Sequence, residues 1–316
     1  MKNFALIGAA GHIAPRHMKA IKETGNKLIA AFDKSDSVGV LDQYFPQSSF
    51  FTEFERFDRH AEKLKRKGEK EQIHYVSVAS PNYLHDAHLR FALRIGADAI
   101  CEKPVVLNPW NIDALKEIEK EEGRRISTIL QLRHHPSIIT LKEKVATAGR
   151  LGKYDIDLTY ITARGLWYFY SWKGDVHKSG GIVTNIGIHF FDILQWIFGD
   201  VQENTVHLRE TNRASGFLEL RNARVRWFLS LRLEDLPASA RAEDRRTFRS
   251  LRLEGEEFEF SEGFGDLHTI SYQEILNGKG WGLDAARPSV EIVADIRNAS
   301  PVGLKDNSHP FACQTK

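Results

Sequence analysis

The sequence predicts a two-domain chain: an α/β half with a parallel sheet, then an α+β half with a mainly antiparallel sheet. Over the first third, short apolar runs alternate with helical stretches, the pattern of βαβ units. From about residue 150 the strands show period-2 alternation, as in sheets with one dry and one wet face. A length of 316 residues fits two domains at roughly 100–200 residues each. The boundary is placed between residues 125 and 126, giving segments 1–125 and 126–316.

The elements follow in order. Phe4–Ile7 is an apolar run before glycines, and Ile13 to Thr24 reads as a helix. Leu28–Phe32 is a second apolar run, ending at Asp33. A charged helix is expected from about Glu53 to Gly68, a buried strand over Tyr75–Ala79 and a helix over Asn82 to Ile95. Asp98–Cys101 reads as a strand and Pro109–Glu122 as a helix. The first strands are continuous apolar runs, which suits burial on both faces. Beyond residue 150, Asp155–Tyr160, Arg224–Leu233 and the stretch holding Phe248, Leu251 and Leu253 alternate. A last helix is expected over about 284–298.

Composition excludes several classes. Apolar residues make up 42% and charged residues 27%, against intrinsic disorder. Lys and Arg total 44 against 42 Asp and Glu, with no basic bias for nucleic acid or a membrane surface. The greasiest segment, Ile182–Phe198, is interrupted by Asn185, His189, Asp192 and Gln195. It therefore falls short of the ~20 consecutive apolar residues of a spanning helix. The N-terminal apolar run is too short for a signal-peptide core. Cys101 and Cys313 stand alone, so no disulfide framework or zinc ribbon is expected. These features together predict a cytoplasmic protein with no metal. His85 and His88 lack a matching ligand set.

Gly8-Ala9-Ala10-Gly11-His12-Ile13-Ala14 follows the first strand and opens the first helix. Small residues there let the chain turn tightly, approach a pyrophosphate and aim a helix N-terminus at it. The spacing is one residue longer than the common Gly-x-Gly-x-x-Gly. Asp33, at the end of the second strand, is placed to accept hydrogen bonds from an adenosine ribose and to repel a 2′-phosphate. NAD is therefore the expected cofactor, although Lys34 keeps NADP in play. Gly8, Gly11, His12, Ile13 and Asp33 are its candidate contacts, joined by Ser80, Asn82, His85, Glu102, Lys103 and Gln131.

Further candidates stand at carboxyl ends of strands, where open α/β sheets bind ligands. Glu102-Lys103-Pro104 presents a lysine able to exchange a proton if its pKa falls. Ser80 and Asn82 either cap the next helix or touch a ribose, with His85 close behind. Gln131 is expected to line the same region. Asn185, His189 and Asp192, spaced i, i+4, i+7, mark a polar stripe on one helix face beside Ile186, Phe190, Ile193 and Ile197. The aromatic and basic stretch Arg164–Lys173 suits either stacking and anion pairing or an oligomer interface.

The glycine turn with His17, Ser80-Pro81-Asn82 with His85, Glu102-Lys103-Pro104 and Gly187-Ile188-His189-Phe190-Phe191-Asp192 occur in that order. Together they resemble the glucose–fructose oxidoreductase, inositol dehydrogenase and rhizopine-catabolism family. The resemblance implies an N-terminal Rossmann domain and a C-terminal α+β domain with an open sheet, and favours a homo-oligomer, most simply a tetramer. It places the catalytic lysine on Lys103 and the catalytic histidine on His189. Gly8–His17, Leu130–His135, Ser171–Asp175 and Ser261-Glu262-Gly263-Phe264 resemble a narrower group acting in lipopolysaccharide O-antigen synthesis. Its members oxidise the 3-hydroxyl of UDP-N-acetyl-D-glucosaminuronic acid, some recycling NADH with 2-oxoglutarate. On that reading Asn185 orients the sugar. Arg164, Trp167, Tyr168 and Lys173 are candidates on chemical grounds for holding the anionic sugar nucleotide, and Asp192 is a further substrate-binding candidate. A dehydrogenase of another sugar or polyol and a non-catalytic NAD-binding sensor are the competing readings.

Overall fold

The computed structural model describes residues 1–258 and 265–314. The chain forms two compact units, Met1–His134 with Gly265–Arg287, and His135–Phe264 with Pro288–Lys316. A single cut after residue 125 differs from this in two respects. Residues 126–134 stay with the first unit, and the chain returns to it at Gly265–Arg287.

The first unit contains β1 (Asn3–Ile7), α1 (Ala14–Glu23), β2 (Lys27–Phe32), α2 (Leu41–Tyr44), β3 (Ser49–Phe51), α3 (Phe54–Arg66), β4 (Tyr75–Val78), α4 (His85–Arg94), β5 (Asp98–Cys101), α5 (Pro109–Glu122) and β6 (Ile126–Thr128). Its strands pair in parallel in the order β3-β2-β1-β4-β5-β6. Phe4, Ala5, Leu6 and Ile7 are all fully buried, as continuous apolar runs foretold. Ile7 lies opposite Phe32 and Val78, and Val78 opposite Cys101. This register ends four strands level, so Gly8, Asp33, Ala79 and Glu102 emerge along one edge. The expected helix from Asn82 instead opens with a 3₁₀ turn, Asn82–Leu84, before α4.

The second unit contains α6 (Pro136–Thr147), β7 (Tyr154–Thr162), α7 (Trp167–Tyr170), α8 (Val176–Ser179), a π turn (Val183–Gly187), α9 (Ile188–Phe198), β8 (Val201–Arg209), β9 (Arg213–Leu220), β10 (Ala223–Ser230), α10 (Ala238–Ala242), β11 (Thr247–Leu253) and β12 (Glu256–Glu257). The sheet order is β12-β11-β7-β10-β9-β8, antiparallel throughout except for the parallel pair β7–β10. β10 stops before the expected Leu233. The Ser230 hydroxyl donates to Asp235 at 2.5 Å and accepts from Arg232 N at 3.0 Å, closing a turn. The α9 segment lies close on the sheet: a Cβ at Gly187 would sit 2.7 Å from Leu229 Cδ1. Phe191 meets Trp227 edge-on, centroids 5.4 Å apart.

Three helices complete the chain: α11 (Leu267–Leu276), α12 (Leu283–Asn298) and α13 (Pro310–Gln314). α11 adds Tyr272 and Ile275 to the core formed by Phe4, Leu6, Met18, Ile21 and Ile100 of the first unit. α12 carries Pro288 in its interior, where the unit division falls. Among the described residues, Val176–Phe198 is the helical run long and apolar enough to cross a membrane, but 72% of its window is buried in the protein. Gly180 and Gly181 interrupt it with φ of +78° and +75°. These are the marks of a core helix and its lead-in. Cys101 is a buried free thiol and Cys313 an exposed one.

Candidate active site

The first cluster forms where β1 turns into α1. Gly8 has φ +94°, and a Cβ there would stand 2.5 Å from Ala79 O, so the turn closes against the end of β4 only with glycine. Gly8 N and Ala9 N both donate to Phe32 O, at 2.8 and 3.2 Å. Gly11 N donates to Gly8 O at 3.0 Å, His12 is exposed, and Ile13 occupies the N-cap of α1 with no side-chain cap. Ala14 N donates to Gly11 O and Arg16 N to Ile13 O, both at 3.0 Å, and Pro15 carries no N–H, so this ten-residue helix offers an anion the positive end of its dipole. Asp33 accepts from Ala10 N at 3.0 Å and from Ser35 N at 2.9 Å. Each carboxylate oxygen keeps a second lone pair for a ribose hydroxyl. These residues fit a bound dinucleotide.

The second cluster follows β5. Glu102 is buried, and its Oε1 is 3.1 Å from His17 Nε2 and 2.8 Å from His268 Nε2. Burial pushes Glu102 up, but the hydrogen bonds from His17 and His268 overcome it and hold the carboxyl well below its usual range. Glu102 is therefore a buried anchor. Lys103 is partly buried. Burial lowers its pKa while the Glu102 carboxylate opposes the shift.

Ser80 and His85 both engage buried partners. The buried Ser80 hydroxyl pairs with His88 Nδ1 at 2.8 Å, and α4 has no side-chain cap. His85 Nδ1 lies 2.7 Å from Pro104 O and Nε2 2.8 Å from Ser80 O, and in the neutral ring one of the two nitrogens carries the donating hydrogen. Asn82 is buried at the start of its 3₁₀ turn, without capping it by side chain. Gln131 opens another 3₁₀ turn, Gln131–His134, and its Oε1 is buried without a hydrogen-bond partner.

In the second unit, Tyr168 is 3% exposed and its hydroxyl accepts from Asn185 Nδ2 at 2.7 Å. The Lys173 ammonium lies 5.4 Å from the Trp167 ring centroid and 5.1 Å from that of Trp172. Burial and the neighbouring Arg164 both push its pKa down. Arg164 and Trp167 are exposed. The structure thus gathers Arg164, Trp167, Tyr168, Lys173 and Asn185.

The expected Asn185–His189–Asp192 stripe on one continuous α-helix is corrected. Asn185 sits in the π turn, whereas the partly buried His189 and buried Asp192 sit on α9. The i→i+5 turn breaks the α spacing between them, and such turns are frequent at functional sites. The apolar face of Ile186, Phe190, Ile193 and Ile197 is buried as expected. Sequence reasoning missed His268 and Tyr272, and treated His17 only as part of a motif. The spacing of His268 and Tyr272, one helical turn apart, is the signal that would have found them.

Strand order β3-β2-β1-β4-β5-β6, with a glycine turn at the β1/β4 switch point and an acid ending β2, defines a dinucleotide-dependent oxidoreductase. The chain belongs to the glucose–fructose oxidoreductase, inositol dehydrogenase and rhizopine-catabolism family. Residues 2–130 match that oxidoreductase family's NAD-binding Rossmann fold, and residues 142–235 its C-terminal α/β domain. NAD is its cofactor.

The WlbA (WbpB) dehydrogenase of Thermus thermophilus is similar in two solved structures. One is a complex with NAD and α-ketoglutarate: 50% identity, TM-score 0.94, covering 98% of this chain and 100% of that one. The other holds NAD and UDP-GlcNAcA: 49% identity, TM-score 0.94, with the same coverage. The D-glucoside 3-dehydrogenase of Escherichia coli (strain K12) is 30% identical over 131 residues, 39% of this chain and 35% of its own length. The matches span 35–48% of the first curated relatives' lengths.

Proposed function

We propose that this chain oxidises the 3-hydroxyl of UDP-N-acetyl-D-glucosaminuronic acid to the 3-keto sugar nucleotide. The observation that carries the reading is the 49% identity, over the full length of that chain, to a dehydrogenase solved with NAD and UDP-GlcNAcA. The residue chemistry supports it. Lys103 follows a parallel strand at its carboxyl end, where burial favours the neutral amine a proton acceptor needs.

NAD, when bound, supplies the hydride acceptor. Gly8, Gly11, His12, Ile13 and Asp33 would hold it, with Asn82 and Gln131 as further contacts. Lys103 would take the hydroxyl proton as the C3 hydride leaves and the C3–O bond becomes a carbonyl. His189 would hydrogen-bond the same hydroxyl and Asn185 would orient the sugar. Arg164 and Lys173 would supply positive charge for the carboxylate and diphosphate, Trp167 and Tyr168 aromatic surface, and Asp192 is a further candidate substrate contact.

The reading extends to 2-oxoglutarate as the acceptor that regenerates NAD, taking hydride and proton to become 2-hydroxyglutarate. It extends also to a cytoplasmic tetramer serving lipopolysaccharide O-antigen synthesis, with exposed Leu166, Trp167 and Tyr170 as candidate interface residues. Incubating the protein with the UDP-sugar, NAD and 2-oxoglutarate, with product analysis by mass spectrometry, tests the reaction. A nucleotide sugar lighter by two hydrogens is expected. No product with or without 2-oxoglutarate overturns the substrate assignment, and turnover of an unlinked sugar or polyol alone favours the broader dehydrogenase reading.

A further inference from the structure

Glu102 collects donors from distant segments of the first unit. One proton assignment satisfies every pair. The Ser77 hydroxyl donates to Tyr272 Oη at 2.6 Å, and the Tyr272 hydroxyl donates to His17 Nδ1 at 2.7 Å. His17 Nε2–H then donates to Glu102 Oε1 at 3.1 Å, and His268 Nε2–H to the same oxygen at 2.8 Å. His17 takes the neutral Nε2–H tautomer in this arrangement, and Glu102 carries the negative charge. Burial, the largest influence on His17, pushes its pKa down and keeps that ring neutral. Burial pushes the Tyr272 phenol up, so it remains a donor.

The anchored carboxylate adjoins Lys103 on one side. Glu102 Oε2 accepts from Lys103 N at 3.3 Å. On the other side, His85 Nδ1 holds Pro104 O at 2.7 Å. The backbone on both sides of Lys103 is thereby tied to buried rings. We propose that Ser77, Tyr272, His17, Glu102 and His268 form the positioning device of Lys103, holding a fixed negative charge one residue before the reacting amine.

The charged and titratable groups facing Glu102 are His17 of α1, His268 and Tyr272 of α11, His85 of α4, and Cys101 and Lys103 beside it in the chain. Replacing a buried ionic group with apolar residues is often neutral or stabilising, so stability alone does not account for this carboxylate. Its charge acts instead on Lys103, favouring the ammonium against burial. The inference rests on Lys103 being the proton acceptor proposed above.

Two readouts separate the inference from that reading. The first is the pH profile of kcat/KM for the full-length enzyme with NAD and the UDP-sugar. The second, independent of turnover, is pH-dependent trace acetylation of Lys103 with acetic anhydride, read by mass spectrometry. In Glu102→Gln both the activity limb and the labelling midpoint are expected to move to lower pH, by about one unit. If both stay where they are in the wild type, the inference is overturned.

A limb that survives Lys103→Ala refutes the proton-acceptor reading, while the labelling midpoint still decides whether Glu102 sets the amine's charge. Tyr272→Phe, which removes one oxygen, covers the case in which Glu102→Gln does not fold. It is expected to lower kcat about tenfold, equivalent to about 1.4 kcal/mol of barrier, with NAD affinity unchanged. An unchanged kcat, or loss of thermal stability alone, assigns the network a purely structural role. One equivalent of metal in the purified protein that disappears with His268→Gln contradicts the hydrogen-bond assignment.

Discussion

Asn185 Nδ2 donates to the buried Tyr168 hydroxyl at 2.7 Å, joining the π turn to the aromatic and basic loop. If Asn185 orients the sugar, Tyr168 holds Asn185. Tyr168→Phe is expected to raise KM for the UDP-sugar about fivefold, the loss of a neutral hydrogen bond worth about 1 kcal/mol. Steady-state kinetics checks this. A change confined to KM for NAD contradicts it.

Lys173 and Arg164 are expected to act through charge. Lys173→Met removes the ammonium held over Trp167 and Trp172. KM for the UDP-sugar is expected to rise about tenfold or more, since hydrogen bonds to charged groups contribute about 1.5–3 kcal/mol. The salt dependence of kcat/KM flattens in the same variant. An unaltered salt response removes Lys173 from the anion site.

Asp33 braces the glycine turn through Ala10 N and is the proposed acceptor for the adenosine ribose. Asp33→Asn keeps an oxygen for the brace and loses the charge. NAD affinity is expected to fall by about tenfold while NADP affinity rises relative to it. Isothermal titration with both cofactors measures the ratio, and an unchanged ratio contradicts the assignment.

Gly8→Ala places a methyl group against Ala79 O at a backbone φ of +94°. The left-handed conformation alone costs roughly 1–2 kcal/mol, and the collision adds to it. Thermal unfolding is expected several degrees below wild type, with NAD binding weakened at permissive temperature.

Acid is expected to destabilise the protein through its buried histidines. Burial lowers the pKa of His17, His85, His88 and His309 from 6.5, to about 4 for His88 and His309. Below 6.5 the unfolded chain takes up protons that the folded rings refuse. Their contribution is complete above 6.5 and is lost progressively down through about 4. Tm should therefore hold steady above neutrality and fall across that window. His88→Gln is expected to flatten part of the decline.

Much of the first unit was legible because its signals are local. Asp98–Cys101 and Pro109–Glu122 are apolar or proline-started segments whose bounds match β5 and α5. The glycine turn and Asp33 were legible because a strand end and a small-residue corner are written contiguously. α11 was not, since it buries His268, Thr269, Ser271 and Tyr272 and so shows no amphipathic stripe. The partners of His268 and Tyr272 lie 166 to 255 residues away, and only folding joins them. Ser80 and Glu102 engage buried partners, His88 for the one and His17 and His268 for the other, that their local motifs do not contain. The π turn at Asn185 leaves no trace in residue spacing. Ser261-Glu262-Gly263-Phe264, which helped carry the narrower resemblance, lies outside the described residues.

The central claim is hydride removal from C3 of the UDP-linked uronic acid. It is tested most directly by following deuterium from substrate labelled at C3 in one sample and at C4 in another. The account predicts NADH carrying deuterium from the C3-labelled sugar and unlabelled NADH from the C4-labelled one. Transfer from C4, or reduction of NAD without label from C3, would contradict it.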